Sequence, residues 1–582
     1  IDVTFDAPIF AMRTIHDRFT TEIMRGCTRG CRFCMAGMFY RPHRERSAEN
    51  VCSIMDRVVR SSGYDEAGFL SLSAADHSEI EQIIVESYNR YSRGISISLP
   101  SLRTETLIAG LIKAIRKGRK GGFTLAPESG SEKLRKVINK GNTTADLLDA
   151  VRKIFDNGWQ NVKLYFMLGL PLETDEDIVE TVNLVKDICR IVRSYGKRAG
   201  VTASFSTFIP QPFTPFQWEK MCSPEEIKAK QKIILDGLRH INNLKLNWHS
   251  QEISTVEGCM SRGGREFCKV IEFVGTNMQD LQTEDHGFDM ALWKKGMENA
   301  GVDFNSLFEQ KPLDRLLPYE HIDLRIDRRF LLKEREKAYM LEETPDCING
   351  DCAGCGACDE LIKPSKNTGK IKNTVIPPEK ENTTRGNSYP YVFSISKKGK
   401  AISIGHLDLV SFLLRGMAMT GIQILYSDGF HPMPRFNLAF PAPVGVEVEE
   451  EYGTLWLTNE IKSVEILSKL NVIFAGTGIS FISMRLVERD LIKNVEKVLR
   501  TAPVHIYTAQ FEKLSDFTAM KNSLTVISSC EMEKTISFEH LTEKGGVLKL
   551  FETVEGEYHI IKNSYREKLF IHDKDRHLTN VI

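Results

Sequence analysis

Six short apolar runs recur through the first two hundred residues, and stretches of helical period separate them. The runs occupy 20–26, 67–73, 94–100, 121–127, 161–169 and 201–210. Between them, Ile80, Ile83, Ile84 and Tyr88 repeat at helical spacing, as do Ile178, Val182, Val185 and Cys189. Thr174 with Asp177 forms a helix-opening capping pair. Strand–helix units in series predict an α/β fold, a partial parallel (β/α)6 TIM-like barrel. In such barrels chemistry gathers at the C-terminal ends of the strands. The residues just after each run are therefore the ones that matter.

Directly after the first run comes "RGCTRGCRFCMAGMFYRP", with Cys27, Cys31 and Cys34 in the pattern C-x3-C-x2-C. Three thiolates within eight residues are poor disulfide partners for one another and good soft ligands for iron. Three ligands leave one metal position open, because closed zinc and cluster sites use four. The flanking arginines and glycines suit a loop that wraps an anionic cluster. Spacing alone also fits a loop of buried thiols, or half a zinc site completed from elsewhere in the chain.

At these residues the chain resembles the radical S-adenosylmethionine (radical SAM) enzymes, including the aromatic Phe33 before the third cysteine. The resemblance implies that Cys27, Cys31 and Cys34 hold three irons of a 4Fe-4S cluster. SAM would chelate the fourth iron and be cleaved to a 5′-deoxyadenosyl radical, with electrons from a donor of flavodoxin or ferredoxin type. Phe33 would then belong to the cofactor site. Glu128, which ends the fourth run, would accept hydrogen bonds from the ribose or ammonium of SAM. Gly169 and Pro171, after the fifth run, would let the backbone approach the adenine. Many family members carry Gly-Gly-Glu after the second strand. Here "SLSAADHS" offers Ser71, Ser73 and Asp76 instead. The basic run "RPHRER" reads as a solvated face.

A narrower resemblance, to radical SAM proteins of the cobalamin-associated type, rests on "LSLSAADHS", "SLPSLR", "INKG", "KLYFMLGLPLETDED" and "PQPFTPFQW". In that group a cobalamin-binding domain precedes the barrel, and none does here. The chain also lacks a D-x-H-x-x-G cobalamin-ligand motif. Cobalamin-dependent methyl transfer then needs a separate cobalamin-binding chain.

Residues 1–235 read as the barrel and 236–345 as a charged, helix-rich extension. A second cysteine set follows in 346–360: Cys347, Cys352, Cys355 and Cys358, spaced C-x4-C-x2-C-x2-C. Four thiolates with interspersed glycines fit either zinc or a second 4Fe-4S cluster. Density of this kind without a metal invites oxidation. Residues 361–388 are polar, without apolar period, and read as a linker. Residues 389–582 read as a mixed two-layer α/β domain, in which "YVFSISKKGKAISIG" is a strand pair and Leu409, Phe412 and Leu413 face inward from a helix. Through "GHLDL" and "YSDGFHPMPRF" this domain resembles the uncharacterised domain linked to radical SAM proteins. His406, His431 and Arg435 are its candidate substrate contacts.

At 582 residues the chain has room for two or three domains. The 77 basic and 77 acidic residues cancel, so composition alone argues neither for nor against nucleic acid, and any footprint on it is expected to be local. Clustered cysteines point to metal chemistry in a reducing compartment, and no apolar run is long enough to span a bilayer, so a cytoplasmic location is expected. The function expected is SAM cleavage followed by modification of a substrate, with RNA a candidate. A non-catalytic scaffold whose metal clusters are structural is the rival.

Overall fold

The computed structural model describes residues 17–64, 66–91, 96–98, 123–283, 286–349, 352–359, 388–427, 433–439 and 444–489, with strand segments beyond 503 and a few single residues between. The N-terminal half is built from parallel strands. β1 (Phe19–Glu22) leads into a two-residue ribbon, β2 (Met24–Arg25) against β3 (Arg44–Glu45). β4 (Glu66–Leu70) lies between β1 and β5 (Ser96–Ser98), parallel to both. A second parallel sheet runs in the order β6 (Phe123–Glu128), β7 (Asn161–Leu168), β8 (Gly200–Thr207), β9 (Leu244–Trp248). The third run, 94–100, is described only at its centre. The sheet also continues past residue 235 through β9. This strand alternates, with Lys245 and Asn247 between Leu244, Leu246 and Trp248, but it is short and only partly buried, and sequence reading passed over it.

Alternation explains how the second sheet packs. Val162, Leu164, Phe166 and Leu168 of β7 are buried, with Val201, Ala203 and Phe205 of β8 beside them. They meet the apolar faces of α5 (Thr144–Asp156), α6 (Asp175–Arg193) and α7 (Pro224–Leu238), the crossover helices. Four helices precede these among the described residues: α1 (Met35–Phe39), α2 (Ala48–Ser62), α3 (Ile80–Tyr91) and α4 (Glu132–Val137). Capping boxes open all three crossover helices, at Thr143/Asp146, Thr174/Asp177 and Ser223/Glu226. Each cap satisfies amide groups that a helix start leaves without partners. Parallel strands with crossover helices are the partial barrel that the sequence pattern predicts.

The extension carries α8 (Gln251–Arg262), α9 (Phe267–Asn277), α10 (Met290–Asn299) and α11 (Arg328–Tyr339). Beyond it, β10 (Tyr389–Lys397) lies between β12 (Glu447–Leu457) and β13 (Ile479–Leu486), antiparallel to both. β11 (Phe436–Leu438) pairs with β12. Helices α12 (His406–Met419) and α13 (Ser463–Ile473) cover this sheet over a core of Phe393, Leu413, Leu455, Leu470 and Phe481. The expected strand pair at 391–405 is one strand followed by a 3-10 turn, Gly399–Ser403.

The linker is not the only connection between the two halves. Arg415 of α12 is almost fully buried, forms an ion pair with Asp17, and lies over the Tyr64 ring at 4.7 Å. Gly63, which ends α2 with φ +63°, lies under the Arg415 carbonyl, where a Cβ would come within 2.1 Å of the oxygen. Only glycine allows that approach.

Candidate metal and cofactor site

The first cysteine set sits on a loop whose two ends are joined by the β2–β3 ribbon, directly beyond β1. Local chemistry shapes the loop. Cys34 is the N-cap of α1, and its Sγ accepts the Gly37 amide at 3.3 Å. The Cys34 amide in turn donates to the Cys31 carbonyl at 3.1 Å. Burial pushes the Cys34 thiol above its ordinary range and the neighbouring Cys31 adds to the push, while the Gly37 amide and Lys140 oppose it.

Buried polar contacts from distant parts of the chain hold this loop. Arg32 is fully buried. Its Nε donates to Glu334 at 3.2 Å, one Nη to the Lys136 and Val137 carbonyls at 3.1 Å each, and the other to the Glu342 carbonyl at 2.7 Å. Burying a guanidinium costs several kcal/mol unless it is well paired, and here four of its five N–H groups donate to protein oxygens. Asn139, at φ +55°, donates to the carbonyls of Arg29, Gly30 and Thr344 and accepts the Thr344 amide. Phe33 packs against an apolar cluster that includes Leu134, Leu170 and Phe208. That contact anchors the loop to the barrel through hydrophobic burial.

Glu128 stands where the fourth run predicts it, close enough to Cys34 to bear on its thiol. It is bound to Lys140 at 3.0 Å, with both side chains largely buried. Its φ is +65°, an uncommon conformation for a residue with a Cβ, and the register with β7 shifts just before it. Backbone strain of that kind collects at functional sites. Gly169 (φ +87°) and Pro171 lie in the loop after β7, where the Gly169 amide donates to Glu173.

Asp76 is committed elsewhere. Arg29 of the cysteine loop donates to it through Nε at 3.1 Å and through one Nη. The hydroxyls of Ser71 and Ser73, at the end of β4, are buried with no hydrogen-bond partner among the described residues, and so is that of Thr21 on β1. Buried hydroxyls without partners are costly, and a bound polar ligand removes the cost. Thr21 carries no motif, so sequence reasoning missed it. Lys140 and Asn139 were visible only as part of "INKG".

The second set folds back onto the first. Cys347 and Cys358 each feel the charge of Cys352, Cys355 and Arg41, so the four thiols share one neighbourhood. Burial raises the pKa of Cys347 and of Cys358. Arg41 leaves the α1 turn, donates to the Gly37 carbonyl at 3.0 Å and lies over Phe330. It faces the quartet and is not part of a solvated basic face. Arg29 reaches Asp346 at 3.4 Å. A cleft of about 40 Å³ beside Cys27 is lined by both segments, through Thr28, Arg29, Asp346 and Asn349. Among the described residues, no three His, Cys, Asp or Glu side chains gather tightly enough for a single metal ion.

In the C-terminal domain, burial and the nearby Lys397 lower the His406 pKa, and its Nδ1 has no hydrogen-bond partner among the described residues. Arg435 lies over the Trp456 ring at 5.4 Å. His431 falls outside the described residues. No described helix is long and apolar enough to cross a membrane.

Comparison with known proteins agrees with this layout. The family described as Radical SAM superfamily matches residues 21–185, and the family described as an uncharacterized protein conserved in bacteria (DUF2344) matches 391–560. An uncharacterized protein of Methanocaldococcus jannaschii is 31% identical over 44% of this chain and 54% of its own length. A tRNA-2-methylthio-N(6)-dimethylallyladenosine synthase of Petrotoga mobilis is 26% identical over 45% of this chain and 60% of its own. The chain thus spans little more than half of these curated relatives. Among solved structures, the radical S-adenosylmethionine methyltransferase TsrM from Kitasatospora setae aligns at 12% identity and TM-score 0.31, over 49% of this chain and 61% of its own. Radical SAM domains imply a 4Fe-4S cluster and SAM, and three thiols on the loop beyond β1, with partnerless hydroxyls on β1 and after its neighbour β4, fit that pair. The chain carries a radical SAM superfamily domain in its N-terminal half and a DUF2344 domain in its C-terminal half.

Proposed function

We propose that this chain is a SAM-cleaving iron–sulfur enzyme that modifies a nucleic-acid substrate. The observation that carries the first part is the placement of Cys27, Cys31 and Cys34, three thiols on one loop, beyond β1 of a parallel α/β barrel. Bound there, a 4Fe-4S cluster supplies an open iron for SAM and the electron for its reductive cleavage. The protein's own residues do the rest. Arg32 and Asn139 fix the loop, Lys140 supplies positive charge beside Cys34, and the hydroxyls of Thr21, Ser71 and Ser73 await polar partners. Glu128, with Gly169 and Pro171, borders the same strand ends.

The test is anaerobic reconstitution with SAM and dithionite. 5′-Deoxyadenosine is the expected product, and a chain loaded with iron that forms none would overturn the reading.

RNA is supported by the tRNA-modifying relatives and by a C-terminal domain docked on the barrel. Within that domain His406 and Arg435 are the proposed contacts. If phosphates dominate binding, affinity falls steeply with salt, and Arg435→Ala flattens that slope by about one phosphate contact. Titration of the full chain with RNA at low and moderate salt measures this. No binding at low salt removes RNA as the substrate. An electron donor of flavodoxin or ferredoxin type completes the set of partners.

A further inference from the structure

The cysteine quartet lies between the two matched families, outside both. Its surroundings are built. Cys355 is buried against Met38 of α1, Trp218 and Phe330. Its carbonyl accepts the Asp327 amide at 2.9 Å, at the start of α11. Gly354 (φ +69°) and Gly356 (φ +89°) turn the chain on either side of Cys355. A Cβ at Gly356 would come within 2.9 Å of the Arg325 carbonyl.

Spacing separates zinc from iron here. The four thiols share a neighbourhood. The last three cysteines repeat as C-x2-C-x2-C, the iron–sulfur run of ferredoxin loops, where zinc sites use separated pairs.

We propose that Cys347, Cys352, Cys355 and Cys358 hold a second iron–sulfur cluster, with thiolate on every iron, seated against the Cys27–Cys34 loop. Arg41 is the cation between the two, and the Arg29–Asp346 ion pair joins the segments. With no open iron the second cluster binds no substrate. Its chemistry is one-electron exchange: it takes one electron from a flavodoxin- or ferredoxin-type protein and passes one on, with no bond or proton transferred. The proposal depends on the reading of the first loop only for the neighbour it serves.

The experiment compares the full chain with a Cys27/Cys31/Cys34 triple alanine variant and with C352S/C355S. All three are reconstituted anaerobically and analysed for iron, sulfide and zinc, then by EPR after dithionite. The full chain should hold about eight irons, and the triple variant about four with matching sulfide. The reduced full chain should show spin–spin broadening that the triple variant lacks. The triple variant keeps the test decisive if C352S/C355S does not fold. One zinc with about four irons in the full chain overturns the proposal, as does an iron-free triple variant. Failure of the function reading looks different: the triple variant keeps its irons, while the full chain forms no 5′-deoxyadenosine.

Discussion

The two cysteine regions solve the same problem by different means. The first is held by the fold: a ribbon closes its ends, α1 caps on Cys34, and Arg32 and Asn139 tie it to segments far along the chain. Among its described residues the second has almost no regular structure of its own, and it leans on α11 and Arg41. A preorganised loop can leave one iron open without losing its shape. A loop that needs its metal to define it has to close every position, because binding energy there is folding energy.

Breaking the first region chemically should have the largest effect. Cys34→Ala is expected to reduce 5′-deoxyadenosine formation to background while far-UV circular dichroism stays unchanged, because the substitution removes a ligand and no core residue. Product formation at the parental rate would sink the assignment.

Next in size is the stability contrast. Arg32→Ala leaves Glu334 buried and should cost roughly 3–5 kcal/mol in denaturant titration. Arg325→Ala, which breaks the half-exposed pair with Asp359 beside the quartet, should cost about 1 kcal/mol or less. Equal losses would erase the distinction between a loop held by the fold and one held by metal.

Removing metal should sharpen the comparison. On anaerobic chelation, amides of residues 346–359 should lose hydrogen-exchange protection, while those around Arg32 and Cys34 keep most of theirs. Loss of protection in both regions at once would mean that the first loop also depends on its metal.

The smallest effect is set by pH. His77 lies next to the Arg29–Asp76 contact; its Nε2 donates to the Arg46 carbonyl and its Nδ1 accepts the Glu79 amide, so the ring is neutral. Burial lowers its pKa below the ordinary 6.5. The unfolded chain therefore binds the extra proton first, and stability falls as pH drops below about 6.5. His77→Gln should flatten that slope, as thermal melts between pH 5 and 7.5 would show.

How much of this was legible in the sequence follows from range. Local signals were readable: the Thr174–Asp177 cap, the β7 alternation, the cysteine spacing and the place of Glu128 at a strand end. What the sequence hid was contact between distant segments. Arg41 looks like one member of a basic run, yet it meets thiols some three hundred positions later. Asp76 reads as a ligand candidate until Arg29 claims it. Arg415 sits within an apolar helical stretch that gives no sign of a distant partner, while its neighbours Asp17 and Tyr64 lie on the other domain. The stretch 391–405 reads as a strand pair, yet its second half holds a 3-10 turn, Gly399–Ser403, that buries Ala401.

The Arg32–Glu334 contact also has a consequence for biosynthesis. Its two residues are 302 positions apart, and the Glu342 carbonyl that Arg32 also uses is 310 away. At roughly 5–20 residues per second, a ribosome needs about 15–60 s after making the cysteine loop to supply its clasp. Through that interval the three thiols belong to an unfinished chain, exposed to oxidant and to stray metal. Whatever delivers iron to this loop meets a receptive site only late in translation, or after release.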